Sequence, residues 1–442
     1  NHIGKIIVDP NDPSIIFVAA YGPLWDSGGE RGVYKSEDGG NTWTQVLKIS
    51  EHTGVADIVM DPRNSKVLYA SAHQRQRKGY GYVSGGPESA IYKSEDGGKT
   101  WIKRNSGFPS GDIGRIAIAI SPINPDVLYT HLEAQDGQNG SYISRDRAAS
   151  WEKQSSYASS GLYYAKIFPD PIQMDKIFVG DVYSKYSTDG GKTYINMPAK
   201  NVHVDNHVIW IDPKDNKHWM MGGDGGLYET YNEGLNWHFK SNLSITQFYR
   251  VATDNSFPFY NVYGGTQDNS SIGGPSRTIN SAGIPNSEWF LTQGGDGFES
   301  QVDWQNPSII YAQSQHGYLV RFDKNTGERV GIKPIELENE DALRWNWDAP
   351  LIVSQHSPSR LYFGANKIYR SDDRGNDWRL ISPDLSRQID RNTLPYMGKI
   401  WSVDAVQKNT STSIFGQTTS ISESRLNENI LYAGTDDGLI QI

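Results

Sequence analysis

The chain has 442 residues, no cysteine and a formal net charge of −9. Disulfides and cysteine metal sites are thereby excluded, and nucleic acid is disfavoured because phosphate binding wants a basic field. No apolar run approaches the ~20 residues of a membrane-spanning helix, while 45 Gly, 25 Tyr and 13 Trp suit tight turns between ring-rich strands.

The first predicted elements set a pattern for the whole chain. An apolar strand, Ile6-Ile7-Val8, ends at Asp9-Pro10, and a second strand follows at Ile15-Ile16-Phe17. A third strand then enters Ser36-Glu37-Asp38-Gly39-Gly40-Asn41-Thr42-Trp43. The strand, Asp-Pro turn and strand return at Ile58 to Tyr69, Ile118 to Tyr129 and Ile209 to Trp219, and more loosely at Val302, Ile352 and Ile430. The Ser-x-Asp phrase returns as Ser94, Asp96 and Trp101, and as Ser187, Asp189 and Tyr194. A weaker form is Ser371, Asp373 and Trp378. Each copy is expected to be a turn. Its glycines permit positive φ, and its Asp and Ser satisfy turn backbone groups. Its aromatic residue (Trp43, Trp101, Trp378) is expected to open the fourth strand and to pack under the turn. These residues are assigned a structural role.

Nine starts of this kind run along the chain. Each unit reads as four short antiparallel strands, since the apolar spacing is two. Such units repeated radially predict an all-β fold of the β-propeller type. One large ring of nine or ten blades competes with parts of two seven-bladed rings, with a seam near residue 240. The last unit stops at Asp436-Asp437-Gly438, where a third strand begins, so the chain is expected to be a segment of a longer polypeptide. Open strand edges then predict a complement, either more of the same polypeptide or another chain.

Loops of variable length on a rigid frame are where function is expected. Candidate binding residues on them are Trp25, Tyr80, Tyr82, Tyr163 and Tyr164. The richest cluster is His203-Val204-Asp205-Asn206-His207, where an extended segment would point 203, 205 and 207 the same way. Asp224, within Gly222-Gly223-Asp224-Gly225-Gly226, and Asp268-Asn269 are expected to converge with it. Asp205, His207, Asp224 and Asp268 are the catalytic candidates, with His203 and Asn269 as binding residues. Two imidazoles and several carboxylates suit acid–base chemistry, a metal, or a structural hydrogen-bond network. No metal or cofactor is assigned. Asp296 repeats the Asp224 setting, where it suits either a general acid or, the reading preferred here, the satisfaction of turn amides. Arg344 and Trp347, in Arg344-Trp345-Asn346-Trp347, are further binding candidates, for stacking on a sugar or peptide.

The Ser-x-Asp-x-Gly-x-Thr-Trp phrase resembles the Asp-box, or BNR repeat. Nearly the whole chain is similar to bacterial exported sortilin-like (VPS10-like) or BNR-repeat "glycosyl hydrolase" proteins. The likeness rests on Glu30 to Ser36, His203 to His207, Gly223 to Gly226, Gln247-Phe248-Tyr249, Gln267-Asp268-Asn269, Gly294 to Gly297, Ser382 to Leu385 and Thr435 to Leu439. A weaker resemblance is to twin-propeller xyloglucan-cleaving glycoside hydrolases. The resemblance implies two tandem seven-bladed propellers, with 1–240 as later blades of the first and 241–442 as early blades of the second. It also implies export to the periplasm, the cell surface or outside. Two functions follow: a recognition scaffold for a glycan, peptide or protein, or a glycoside hydrolase working through paired carboxylates.

Overall fold

A computed structural model describes residues 2–243, 245–336, 338 and 340–442. Among these residues the chain forms eight four-stranded antiparallel sheets, one three-stranded sheet and a two-stranded hairpin. The sheets follow one another along the chain. In seven of the eight the four strands pair in sequence order; the second sheet differs because the hairpin Gln76–Lys78/Gly81–Val83 is inserted before its third strand.

The repeated phrase makes the turn between third and fourth strands. In the first sheet Ser36 Oγ donates to Asp38 Oδ1 at 2.8 Å and accepts the Gly40 N–H at 2.8 Å. Asp38 in turn accepts the Thr42 N–H at 2.9 Å and its hydroxyl at 2.6 Å. Gly39 and Gly40 hold φ of 72° and 94°, a region L side chains avoid. The same bonds recur from Ser94 and Asp96 to Thr100, and from Ser187 and Asp189 to Thr193. At Ser371 and Asp373 the serine bonds recur, and Asp373 accepts the Asp377 N–H where the other copies have threonine. The Thr42 and Thr100 hydroxyls hold Asp38 and Asp96 down at about 2. The weaker copy at Thr230 and Asn232 keeps the geometry with an amide in place of the carboxylate.

The aromatic residue of the phrase needs a correction. Trp43, Trp101 and Trp378 do not open the fourth strand; each stands one residue before it, the strands being Thr44–Leu47, Ile102–Lys103 and Arg379–Leu380. The reason is that the indole turns back toward the core and closes the turn, so pairing starts at the next residue. Trp101 Nε1 donates to Gly98 O of its own turn at 3.1 Å, and the ring is partly buried against the core between the first two sheets. Trp378 Nε1 instead donates to Ile332 O at 2.7 Å, which ties its turn to the preceding sheet, and the ring packs on that core. Trp43 lies under Gly40 and is exposed on its outer side.

The strands between the turns bury their apolar residues against the neighbouring sheet. Phe17, Val33, Ile58 and Leu68 pack between the first and second sheets, and Val59, Tyr69, Ile116 and Leu128 between the second and third. Tyr311, Leu319, Leu351 and Phe363 do the same between the seventh and eighth. Each fully buried ring or branched chain of this kind contributes about 1.5–3 kcal/mol.

The all-β reading stands, but the β-propeller is corrected. No sheet among the described residues is closed or curled into a ring; each is a separate ribbon with its own two edges. The reason is physical. The turn phrase encodes pairing within a four-stranded unit, whereas closure depends on contacts between units that no repeat residue specifies.

The chain divides into two compact units. One is Asn1–Leu243 with Asn392–Thr410; the other is Ser244–Arg391 with Ser411–Ile442. Within the first, the 392–410 segment packs on the inserted hairpin. Asn409 N–H donates to Tyr82 O at 2.7 Å and Met397 N–H to Gln76 Oε1 at 2.7 Å. Tyr396 and Trp401 are buried with Val83 in this contact.

Candidate functional site

The fifth sheet of the first unit places the central residues. Its first strand, Asn206–Ile211, carries a β-bulge: Asn206 faces Gly223, but Val208 faces Gly222. His207 is the extra residue. Bulges re-aim a side chain out of the pleat, and His207 Nε2 lies 3.0 Å from Asp224 Oδ1 on the neighbouring strand's turn.

Asp205, just before the strand, is left-handed at φ 63°. Residues 203, 205 and 207 therefore do not alternate along an extended segment as expected. The Asp205 N–H donates to Val182 O at 3.0 Å, and its carbonyl accepts the Asp224 N–H at 3.1 Å. Gly223 is required by this approach, since a Cβ there would sit 2.3 Å from Asp205 O. At Gly225 a Cβ would sit 2.1 Å from the His203 Cβ.

Tyr164 completes the arrangement. Its hydroxyl donates to Asp205 Oδ1, and its ring stacks on His207 with centroids 5.1 Å apart and planes 14° from parallel. Burial pushes the Tyr164 phenol up, and the Asp205, Asp181 and Asp224 carboxylates push it further. It therefore remains a hydrogen-bond donor. Asp181 accepts the Tyr157 hydroxyl at 2.5 Å and carries the loop of exposed Val182 and Tyr183. Asp205, His207 and Asp224 are half-buried, and exposed Tyr163 lies beside Tyr164. Asp205 thus bonds the tyrosine and Asp224 the histidine of one Tyr–His stack, with exposed rings nearby.

The turn Ser160–Tyr164 links this cluster to a buried acid. The Gly161 N–H donates to Glu133 Oε1 at 2.8 Å, and Gln407 Nε2 donates to the same oxygen at 2.9 Å. Glu133 Oε2 is buried without a hydrogen-bond partner. Burial raises this carboxyl to about 7. Nearby His131 is pushed down to about 3 by burial alone.

The other candidates are placed as follows. His203 is tied to its own loop, through Nδ1 to Val204 O at 2.8 Å and its N–H to the Tyr228 hydroxyl at 3.3 Å. Trp25 is exposed beneath the Arg77 guanidinium. Tyr80 packs edge-on against Tyr396, and Tyr82 is buried with its hydroxyl on Ser84.

Asp268, Asn269, Arg344 and Trp347 belong to the second unit. The Asp268 N–H donates to Asp296 Oδ1 at 2.6 Å, and Asn269 Nδ2 to Gln267 O at 3.1 Å. Arg344 is held by Asp384 at 2.7 Å and by Ser386 and Gly416. Trp347 lies edge-on to His316 and is exposed.

Sequence reasoning missed Glu133 and a set in the second unit. Arg250, Glu299 and Asp348 line a pocket of about 190 Å³ together with Gln301, Thr419 and Ser420. Arg250 Nε lies 3.1 Å from Asp348 and 4.0 Å from Glu299. Burial raises Glu299, and the Asp348 charge adds to the effect. A signal was present: Tyr249-Arg250, Phe298-Glu299 and Trp347-Asp348 recur every 49 residues, each an aromatic followed by a charge. Among the described residues no three His, Asp or Glu side chains form a metal-holding group, and no helix is long and apolar enough to cross a membrane.

Comparison with known proteins places this geometry in context. A family model described as "Sortilin, neurotensin receptor 3" matches residues 31–179, a minority of the chain. A probable oligoxyloglucan-reducing end-specific xyloglucanase of Neosartorya fischeri is 26% identical over 198 residues, 40% of this chain and 23% of that protein. The xyloglucanase Xgh74A of Acetivibrio thermocellus is 26% identical over 270 residues, 52% of this chain and 31% of that protein. The chain spans less than a third of the length of these two relatives. The crystal structure of a GH74 xyloglucanase from Xanthomonas campestris aligns with all of this chain and 76% of that one, at 14% identity and a TM-score of 0.46. The chain is distantly similar to xyloglucanase-type glycoside hydrolases.

Proposed function

We propose that this chain is part of an exported glycan-acting protein, and that Asp205, His207 and Asp224 form a glycosidic acid–base site. The observation that carries the reading is the placement of two half-buried carboxylates around the Tyr164–His207 stack, beside exposed Tyr163 and Tyr183. The sequence similarity to xyloglucanases supports the substrate class, a β-linked polysaccharide such as xyloglucan. The sortilin match over 31–179 supports the finer sortilin-like family reading for that stretch.

Hydrolysis breaks the bond between the anomeric carbon and the leaving oxygen, and consumes one water. The leaving oxygen needs a proton while the opposite face needs a carboxylate. In this reading the Asp224–His207 pair gives a proton to the leaving oxygen, water adds its hydroxyl to the anomeric carbon, and the proton that water loses returns to the pair. Asp205 accepts the Tyr164 hydrogen bond, and it faces the positive charge developing on the sugar. The exposed tyrosines supply faces for sugar rings. Trp25 and Tyr80 enter as outlying glycan contacts of the first unit. Asp268, Asn269, Arg344 and Trp347 enter as glycan contacts of the second unit.

The test is release of reducing ends from a panel of neutral polysaccharides, xyloglucan included. Asp205→Asn and Asp224→Asn are expected to lower the rate by about 10²-fold or more, on the order of general acid–base contributions. Asp296→Asn is expected to change it little. Full activity in folded Asp205 and Asp224 variants would remove the site from these residues.

A further inference from the structure

The first strands of the five sheets in the first unit line a cavity of about 520 Å³. Its volume falls within the roughly 300–1,000 Å³ usual for small-molecule sites. Its wall is unusual in charge. Lys5, Arg115 and Lys166 reach it, against a single carboxylate, Asp57. The chain as a whole is acidic at −9, so this excess of positive charge is local.

The one carboxylate is already engaged, with Lys5 Nζ at 3.2 Å from Asp57 Oδ1. Arg115 gives one N–H to Gly161 O at 3.0 Å and has further donors. Lys166 makes no ion pair among the described residues. Solvent reaches Lys166, yet surrounding protein lowers its pKa by burial, with Arg115 and Lys5 adding and Asp57 opposing. Like charges grouped on one concave wall attract an anion. The wall also carries Phe168 and the exposed ring of Trp210, so it offers apolar faces beside the cations. A single phosphate would leave most of the cavity and both rings unused.

We propose that this cavity binds a carboxylate-bearing sugar residue, a uronic acid unit of an acidic glycan, with Lys166 and Arg115 on the carboxylate and Trp210 against the ring. The inference rests on the glycan role proposed above and adds a charged substrate class to it. The Gly161 contact joins the two places, because Arg115 and Glu133 hold the turn that presents Tyr164.

The test is calorimetric titration of the protein with trigalacturonate, a neutral xyloglucan heptasaccharide and inorganic phosphate. Trigalacturonate is expected to bind more tightly than either, and to weaken as salt rises. Lys166→Met is expected to weaken it at least tenfold, while Lys166→Arg retains it. Absence of binding, equal binding of phosphate, or folded Lys166→Met unchanged from wild type would each overturn the proposal. Binding is read without turnover, so failure of the hydrolytic reading leaves this result standing. Cleavage of neutral glycan with no trigalacturonate binding would defeat this inference alone.

Discussion

The Tyr164 hydroxyl donates to the Asp205 carboxylate while the Tyr164 ring lies flat against His207. One side chain therefore sets both the hydrogen bonding of an acid and the orientation of an imidazole. Tyr164→Phe keeps the stack and removes only the donor. A hydrogen bond to a charged group contributes about 1.5–3 kcal/mol, so glycan cleavage is expected to fall by roughly tenfold to a hundredfold. Tyr164→Ala, which also frees His207, is expected to fall further. Equal rates in wild type and Tyr164→Phe would show that the hydroxyl does not act through Asp205.

Glu133 makes stability depend on pH. Its folded pKa of about 7 lies above the ordinary 4.5, so the folded state holds a proton that the unfolded chain releases first. Stability is then greatest below about pH 4.5 as far as this group is concerned. It declines as pH rises through about 7, and is flat above. A shift of that size corresponds to roughly 3 kcal/mol, at about 1.36 kcal/mol per pH unit, for a side chain that is fully buried. Glu133→Gln removes the charge and keeps much of the shape. Denaturation curves are expected to show it more stable than wild type at about pH 8 and equal near pH 4.5. A constant difference across that range would mean Glu133 does not titrate as placed.

The repeated turns can be tested one at a time. Ser94 Oγ is buried, donates to Asp96 at 2.9 Å and accepts the Gly98 N–H at 2.9 Å. Ser94→Ala leaves that N–H without its partner, which costs about 1–3 kcal/mol. Chemical denaturation is expected to register the loss, with the remaining turns intact. No change would indicate that water or backbone replaces the hydroxyl.

Much of the local structure was legible. The turns of Ser94 with Asp96 and Ser187 with Asp189 lie where their spacing put them, because a turn is written in a few adjacent residues. What the following tryptophan does was less legible: Trp101 bonds within its own turn and Trp378 across to the preceding sheet, a choice made by the neighbour and not by the phrase. The pairing of Asp224 with His207 was also within reach, since both flank strands of the same sheet. Tyr164 stood only among binding candidates, because its bond to Asp205 crosses between two sheets. Glu133 reads in sequence as one more residue of a strand; its proton comes from burial beneath residues 161 and 407. The set at Arg250, Glu299 and Asp348 carried a signal in its 49-residue spacing, but its members come from three separate stretches that only folding brings to one pocket.

By itself the sequence determined the strand order, the turns and the all-β class, since these depend on glycine, on Ser and Asp hydroxyls and carboxylates, and on alternation over a few residues. The tertiary structure alone decided whether sheets close, which side chains meet, and which acids keep protons. Residues 392–410 illustrate the division: nothing local marks them as partners of Tyr82 and Glu133. Such contacts are set by the summed burial of distant segments, and burial is a property of the folded chain.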